Sequence, residues 1–112
     1  MDKFVKKPWG GYSIIEKNSK YWVKKLYIKK DEEFSLQSHK ERSESWIVLE
    51  GKIRVQKNKA FHTLKEGGSV EIPKNTKHRI HGVTDSYVLE IAFGNPKEGD
   101  ITRYEDKYGR IK

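Results

Sequence analysis

Four side chains in this sequence have metal-ligand chemistry and a spacing that one fold could use: Gln37, His39, Glu44 and His78. Residues two apart in a strand share a face, so Gln37 and His39 project together. Glu44 follows after a short loop, at the start of the apolar run Trp46 to Leu49. His78 comes five positions after Pro73, and a strand followed by a proline-stiffened turn can return it to the first group. Two imidazoles, a carboxylate and an amide oxygen suit Zn²⁺, Mn²⁺, Fe²⁺, Co²⁺ or Ni²⁺. One divalent ion held this way keeps positions open for substrate oxygens. Taken singly, Gln37 reads as a polar strand residue, His39 and His78 as hydrogen-bonded core histidines, and Glu44 as a surface carboxylate. The joint spacing carries the metal assignment. His62 reads as an exposed strand residue, and His81 as either pocket-lining or surface.

The elements that must position these groups are short strands. Tyr12 to Ile15 and Tyr21 to Ile28 are rich in β-branched and aromatic residues, with Asn18-Ser19 as the turn between them. Trp46 to Leu49 leads into Glu50-Gly51, after which Ile53 and Val55 alternate with polar residues, a hairpin signature. Asn58-Lys59 marks a turn and Phe61 to Leu64 a strand. Gly67-Gly68 marks another turn, and Val70 to Ile72 is a strand stopped by Pro73. His78 to His81 and Tyr87 to Phe93 close the series. No segment keeps a helical period over three turns, so the pattern predicts an all-β sandwich or closed barrel. The tail from Gly99 to Lys112 is assigned no more than a short helical turn near Asp100.

A chain of 112 residues fits one domain, residues 1–112. Its three Trp, six Tyr and four Phe give it a core despite the many charges. It has no cysteine, which excludes disulfides and thiolate metal sites. No apolar run approaches the ~20 residues of a membrane span, and Met1-Asp2-Lys3-Phe4 shows no leader. The expectation is a cytoplasmic protein without membrane contact. The formal charge of +8 suits phosphate-bearing ligands, though lysine also serves simply as a solubilising residue. Nucleic acid is a minor reading: Lys24-Lys25 and Lys29-Lys30 with Trp22 and Tyr27 could form a basic stacking face, or a plain solvated strand.

The two ligand blocks resemble the paired motifs of the cupin superfamily. The first, about 31–51, runs Asp31, five residues, Gln37-Ser38-His39, four residues, Glu44, six residues, Gly51. The second, about 67–82, runs Gly67, five residues, Pro73-Lys74-Asn75, two residues, His78, three residues, Gly82. Asp31, Gln37, Asn75 and Gly82 replace Gly, His, Gly and Asn of the superfamily pattern. Asn75 is the mildest change, because Asn tolerates positive φ. Lys7-Pro8-Trp9-Gly10-Gly11-Tyr12, Leu36 to His39, Glu44 to Val48, Ile72-Pro73 through His78-Arg79, and Arg103 to Arg110 look like the type II mannose-6-phosphate isomerase domain. In that family the domain usually follows a GDP-mannose pyrophosphorylase domain, which is absent from this sequence. Glu41 and Ser45 stand where the family carries histidines, while Arg42 is kept.

The resemblance implies a double-stranded β-helix, the jelly-roll barrel of cupins, and a metal-dependent aldose–ketose isomerase converting mannose-6-phosphate to fructose-6-phosphate. A non-catalytic, metal-containing cupin that binds a sugar or sugar nucleotide in polysaccharide precursor metabolism is the alternative. Under the first expectation Glu41 is the candidate general base, since it lies two residues from His39 if the strand continues. It reads equally as a salt-bridge partner for a lysine. Arg42 is grouped with it as catalytic. Arg79, Arg110 and His81 are candidate substrate contacts, because a guanidinium pairs with phosphate in a bidentate fork. A homodimer is expected, since Trp9 would otherwise be exposed and paired barrels hide unpaired strand edges.

Overall fold

Alternation sets the strands. Arg42–Glu50 reads buried, half-buried, buried through seven residues, and Ser86–Gly94 repeats the pattern, so each buries one face and shows the other. In the computed structural model, which describes residues 3–111, the strands are β1 (Phe4–Lys7), β2 (Gly10–Lys17), β3 (Tyr21–Ile28), β4 (Leu36–Ser38), β5 (Arg42–Glu50), β6 (Lys52–Lys57), β7 (Ala60–Lys65), β8 (Ser69–Ile72), β9 (His78–Gly82), β10 (Ser86–Gly94) and β11 (Thr102–Glu105). They pair antiparallel in two sheets, ordered β1-β2-β3-β10-β5-β8 and β11-β4-β9-β6-β7. This is the expected double-stranded β-helix. Among the described residues there is no helix, and so none long and apolar enough to cross a membrane. Met1, Asp2 and Lys112 lie outside the described residues.

Both sheets contribute to one core. Leu26, Ile28, Trp46, Val48, Ile72 and Val88 come from the first, and Ile53, Val55 and Ile80 from the second. Trp46 is fully buried and meets Phe34 edge to face, with ring centroids 6.1 Å apart. Removing an aromatic of that size from such a site costs ~3–5 kcal/mol.

Several sequence expectations change. β5 begins at Arg42 rather than Trp46, so Glu44 lies inside the strand. β1 was not expected at all. Its Lys-rich, short segment has no clear alternation, and it forms by pairing with β2 from Phe4↔Ser13 to Lys7↔Gly10. Near Asp100 the tail makes a single hydrogen-bonded turn and no helix, Asp100 N donating to Lys97 O at 3.1 Å, and then adds β11 to β4. Trp9 is buried without a partner subunit: Phe34 covers it, with centroids 4.4 Å apart. The dimer argument from an exposed Trp9 therefore falls.

The motif departures have local explanations. Asp31 (φ 66°) and Asn75 (φ 62°) both occupy the left-handed region, where the superfamily pattern uses glycine. Asp and Asn are the side chains that tolerate it best. Gly82 replaces an Asn because a Cβ there would stand 2.5 Å from the Lys29 carbonyl oxygen.

Candidate metal centre

β4, β5 and β9 deliver the candidate ligands. Gln37 pairs directly with His78 across β4 and β9, so both side chains face the barrel interior. His39 follows the end of β4, and Glu44 points inward from β5 with Arg42 and Trp46. His39, Glu44 and His78 are buried, and each offers a ligand atom within 4.8 Å of the others. His39 Nε2 is 3.5 Å from Glu44 Oε2, and His78 Nε2 is 3.8 Å from Glu44 Oε1. Gln37 lines the adjoining cavity.

The hydrogen bonds pre-set each ligand. His39 Nδ1 donates to the Asp100 carbonyl at 2.7 Å and His78 Nδ1 to the Thr76 carbonyl at 2.8 Å. Carbonyls only accept, so both rings carry the proton on Nδ1 and turn the Nε2 lone pair inward. His78 Nε2 is buried and has no partner among the described residues. A buried polar atom left without a partner costs free energy, and a metal ion is one group that satisfies it. Glu44 accepts from Trp46 Nε1 on Oε1 (3.1 Å) and from Arg42 Nε on Oε2 (2.8 Å). Arg42 Nη2 also donates to His39 Nε2 at 3.0 Å, so an ion using that nitrogen must displace the guanidinium contact. Burial first, then the charges of Arg42 and His78, push His39 down to about 3. Burial pushes His78 down to about 4. Both are neutral near pH 7, as ligands must be. The donor set, tautomers and burial fit a divalent ion.

Beside this cluster lies a cavity of about 130 Å³. It holds a carboxyl that the sequence analysis missed. Glu90 on β10 is buried and lines the cavity with Lys24 and Arg42, and Trp22 Nε1 donates to its Oε2 at 2.9 Å. Burial, reinforced by the Glu44 charge, raises it to about 7 against the pull of Lys24 and Arg42. Lys24 is buried as well and pairs with Glu98 at 2.7 Å. Both break an otherwise apolar inward row, Val88-Glu90-Ala92 and Trp22-Lys24-Leu26, and that was the available signal. Trp22 and Lys24 therefore face inward and are lost to the basic stacking face that Lys24-Lys25 and Lys29-Lys30 with Trp22 and Tyr27 suggested.

Of the other residues singled out, Arg42 and Arg110 reach this cavity. Arg103 does too, and it was not foreseen. Glu41 does not. β4 ends at Ser38, so the same-face argument lapses, and the exposed Glu41 side chain accepts from Asn95 Nδ2 at 3.3 Å. Ser45 faces outward and bonds Glu71, so the histidine replaced there is not a loss from the interior. Arg79 and His81 also point outward, because each is an odd number of residues from inward-facing His78 and Ile80. There Glu33 accepts from Arg79 Nη1 (2.8 Å) and His81 Nδ1 (3.1 Å), beside a separate cavity lined by Arg54 and Phe61.

Residues 1–106 match the family model described as mannose-6-phosphate isomerase C-terminal. Among curated relatives, the chain is 35% identical to mannose-1-phosphate guanylyltransferase ManC of Salmonella typhimurium over 114 residues, covering 99% of this chain and 24% of that protein. It is 36% identical to xanthan biosynthesis protein XanB of Xanthomonas campestris over 109 residues, covering 95% and 23%. The chain thus spans about a quarter of the length of these relatives. Among solved structures, Streptomyces Pac13, a nucleoside dehydratase, superposes with TM-score 0.81 at 12% identity, covering 93% of this chain and 85% of that one. A double-stranded β-helix protein from Klebsiella pneumoniae superposes with TM-score 0.71 at 13% identity, covering 85% and 84%. At these identities the likeness speaks to fold alone.

Proposed function

The chain belongs to the mannose-6-phosphate isomerase C-terminal family, and from that premise we propose that it is a metal-dependent aldose–ketose isomerase acting on a sugar phosphate, mannose-6-phosphate to fructose-6-phosphate. The observation that carries this is the meeting of His39, Glu44 and His78 next to a cavity lined by Gln37, Arg42 and a buried carboxyl, Glu90. The chain would act as one cupin unit in the cytoplasm.

The ligand set His39, Glu44 and His78, with Gln37 adjoining, would hold Zn²⁺, Mn²⁺, Fe²⁺, Co²⁺ or Ni²⁺. A bound ion supplies Lewis-acid polarisation of the sugar carbonyl. The chain supplies the proton transfer. Glu90 as carboxylate takes the C2 proton, the C2–H electron pair forms the C1–C2 double bond, and the C1=O π pair moves onto O1, which takes up a proton from solvent to give the enediol. The same carboxyl then returns its proton to C1 as the O2–H proton leaves to solvent, the O2 pair forms the C2 carbonyl and the C1–C2 π pair bonds the proton at C1. A carboxyl raised to about 7 suits this exchange, because a general base works best with its pKa near the working pH. The Trp22 indole keeps Oε2 in place. Arg42 holds Glu44 and His39 in register.

The alternative, a non-catalytic cupin binding a sugar or sugar nucleotide, draws on the same cavity. Its volume of about 130 Å³ is below the ~300–1,000 Å³ of most ligand pockets, and Arg42 already occupies His39 Nε2. Solvent deuterium exchange separates the two. Purified protein with added Mn²⁺, Zn²⁺ or Co²⁺ and mannose-6-phosphate is expected to incorporate deuterium at C2 and accumulate the ketose. No exchange with any hexose or pentose phosphate favours the binding role.

A homodimer belongs to the same proposal, supported by the outer face of the larger sheet. There half-buried Ile47 and Leu89 are cross-strand neighbours, as are Ile91 and Val23.

A further inference from the structure

The outer face of the smaller sheet holds a cavity of about 250 Å³, larger than the one beside the metal-ligand cluster. Glu33, Arg54, Gln56, Phe61, Arg79 and His81 line it. Strand pairing brings them together. Gln56 on β6 pairs with Phe61 on β7 and with Arg79 on β9, and Arg54 pairs with His81. Directly paired residues of antiparallel strands present their side chains to the same face. Fully buried Val55 alternates with Arg54 and Gln56, and fully buried Ile80 with Arg79 and His81, so the core lies on the other side. The cavity is therefore across the sheet from His78, and the proposed isomerisation makes no use of it.

Three features of the lining point to a ligand. The first is an unbalanced cation. Glu33 is shared between Arg79 Nη1, at 2.8 Å, and His81 Nδ1, at 3.1 Å, and Arg79 Nη2 donates to Glu105 at 2.8 Å. Among the described residues no carboxylate engages Arg54. The second is an aromatic platform. The Arg54 guanidinium lies over the Phe61 ring, with Cζ 4.5 Å from the centroid, and Phe61 still keeps 53% of its surface in water. A guanidinium stacked on a ring keeps its edge N–H groups for an acceptor in the same plane. The third is an oriented amide. Gln56 Nε2 donates to the Asn58 carbonyl at 3.1 Å. A carbonyl only accepts, so the amide is fixed with Oε1 as its remaining acceptor.

We propose that this outer cavity is a second ligand site, for a flat aromatic ring that carries an anionic group. The ring stacks on Phe61, the anionic group pairs with Arg54, and Gln56 Oε1 accepts from an N–H or O–H at the ring edge. A cavity of about 250 Å³ lies just under the ~300–1,000 Å³ of most ligand pockets, so it takes one ring with its acid group and not an extended chain. Nucleoside monophosphates and aromatic carboxylates share this chemistry. The homodimer proposed above uses the other sheet, so this face stays open in it. The site goes beyond the isomerase proposal and does not rest on it.

The test is calorimetric titration in the presence of chelator, which removes binding through a metal. Adenosine 5′-monophosphate and 4-hydroxybenzoate each supply a flat ring with an anionic group. Adenosine supplies the ring without the charge, and cyclohexanecarboxylate the charge without the flat ring. Wild type is expected to bind one or both of the first pair, and the last two at least tenfold more weakly. Which of the first pair binds distinguishes a nucleotide from an aromatic carboxylate. Phe61→Ala and Arg54→Gln are each expected to lose about 10-fold or more in affinity, the scale of a lost stack and of a lost charge-assisted pair. Lys52→Gln, on the same face outside the cavity, should change nothing. Phe61 and Arg54 are exposed, so thermal melts of their variants should match wild type. Folded wild type that binds neither ring-bearing anion overturns the site. So does binding that neither Phe61→Ala nor Arg54→Gln weakens, which would belong to the inner cavity, or a loss in Lys52→Gln equal to that in Arg54→Gln.

Discussion

The backbone carbonyl of Asp100 accepts a hydrogen bond from His39 Nδ1–H at 2.7 Å, across 61 residues of sequence. The Asp100 carboxylate also accepts from the backbone N–H groups of Lys40 and Glu41, at 2.9 and 2.8 Å. One residue therefore sets the His39 tautomer and clamps the turn between β4 and β5. Asp100→Ala removes the clamp while leaving the carbonyl. Metal affinity is expected to fall about 10- to 100-fold, the usual cost of losing an outer support to a ligand. The check is competition against a chromophoric chelator, with the circular dichroism spectrum unchanged.

Arg42 is the other support. Its guanidinium bonds Glu44, His39 and the Lys97 carbonyl, and it is nearly as buried as Glu44. Arg42→Met leaves the Glu44 carboxylate buried without its cation. That change is expected to destabilise the metal-free protein by about 3 kcal/mol or more, read from urea unfolding. Added metal should recover part of the loss, since the ion replaces the missing charge.

How much of this was legible in the sequence depended on strand phase. His39, Glu44 and His78 were found because their spacing keeps them on inward faces, and the motif departures at Asp31 and Asn75 sit at backbone positions with positive φ. Arg79 and His81 were assigned to the substrate against that phase. One and three residues from His78, they must face away from it. Glu41 failed for another reason: the strand ended earlier than its pattern suggested. Glu90 and Lys24 were legible in principle, as charges in phase with apolar neighbours. Asp100 and Arg103 were not, because their places at the site depend on β11 docking against β4, a contact between segments distant in sequence.

Glu90→Gln separates metal binding from proton transfer. The variant is expected to keep its metal and lose C2 deuterium exchange by 100-fold or more, the scale of general-base catalysis. In wild type, exchange should rise with pH as Glu90 ionises. The inflection lies below 7 when the site holds a cation, because a nearby positive charge favours the carboxylate. Exchange in Glu90→Gln equal to wild type would remove this residue from the chemistry.

Stability of the metal-free protein should depend on pH through three buried groups. His39 and His78 titrate near 6.5 when unfolded but only near about 3 and about 4 when folded. Their contribution is complete above pH 6.5 and is lost progressively as pH falls from there to their folded values of about 3 and about 4. Glu90 acts in the opposite sense. Folded, it keeps its proton to about 7, against 4.5 unfolded, so stability is lost as pH rises between those values. From pH 4.5 to 6.5 the unfolded chain binds a net one proton more, and stability should rise by ~1.4 kcal/mol per pH unit. Above pH 6.5 Glu90 alone remains and stability should fall. Glu90→Gln should steepen the rise and abolish the fall, as followed by urea unfolding in the presence of chelator.

The most direct measurement is the metal content of protein purified without chelator, then re-measured after dialysis against Mn²⁺, Zn²⁺ or Co²⁺, for wild type and for His78→Ala. His78 is the candidate ligand whose buried Nε2 has no partner among the described residues. About one divalent ion per chain is expected in wild type and close to none in the variant. A wild type that takes up no ion, or a folded His78→Ala that holds one as tightly, would contradict the assignment of His39, Glu44 and His78 to a shared metal.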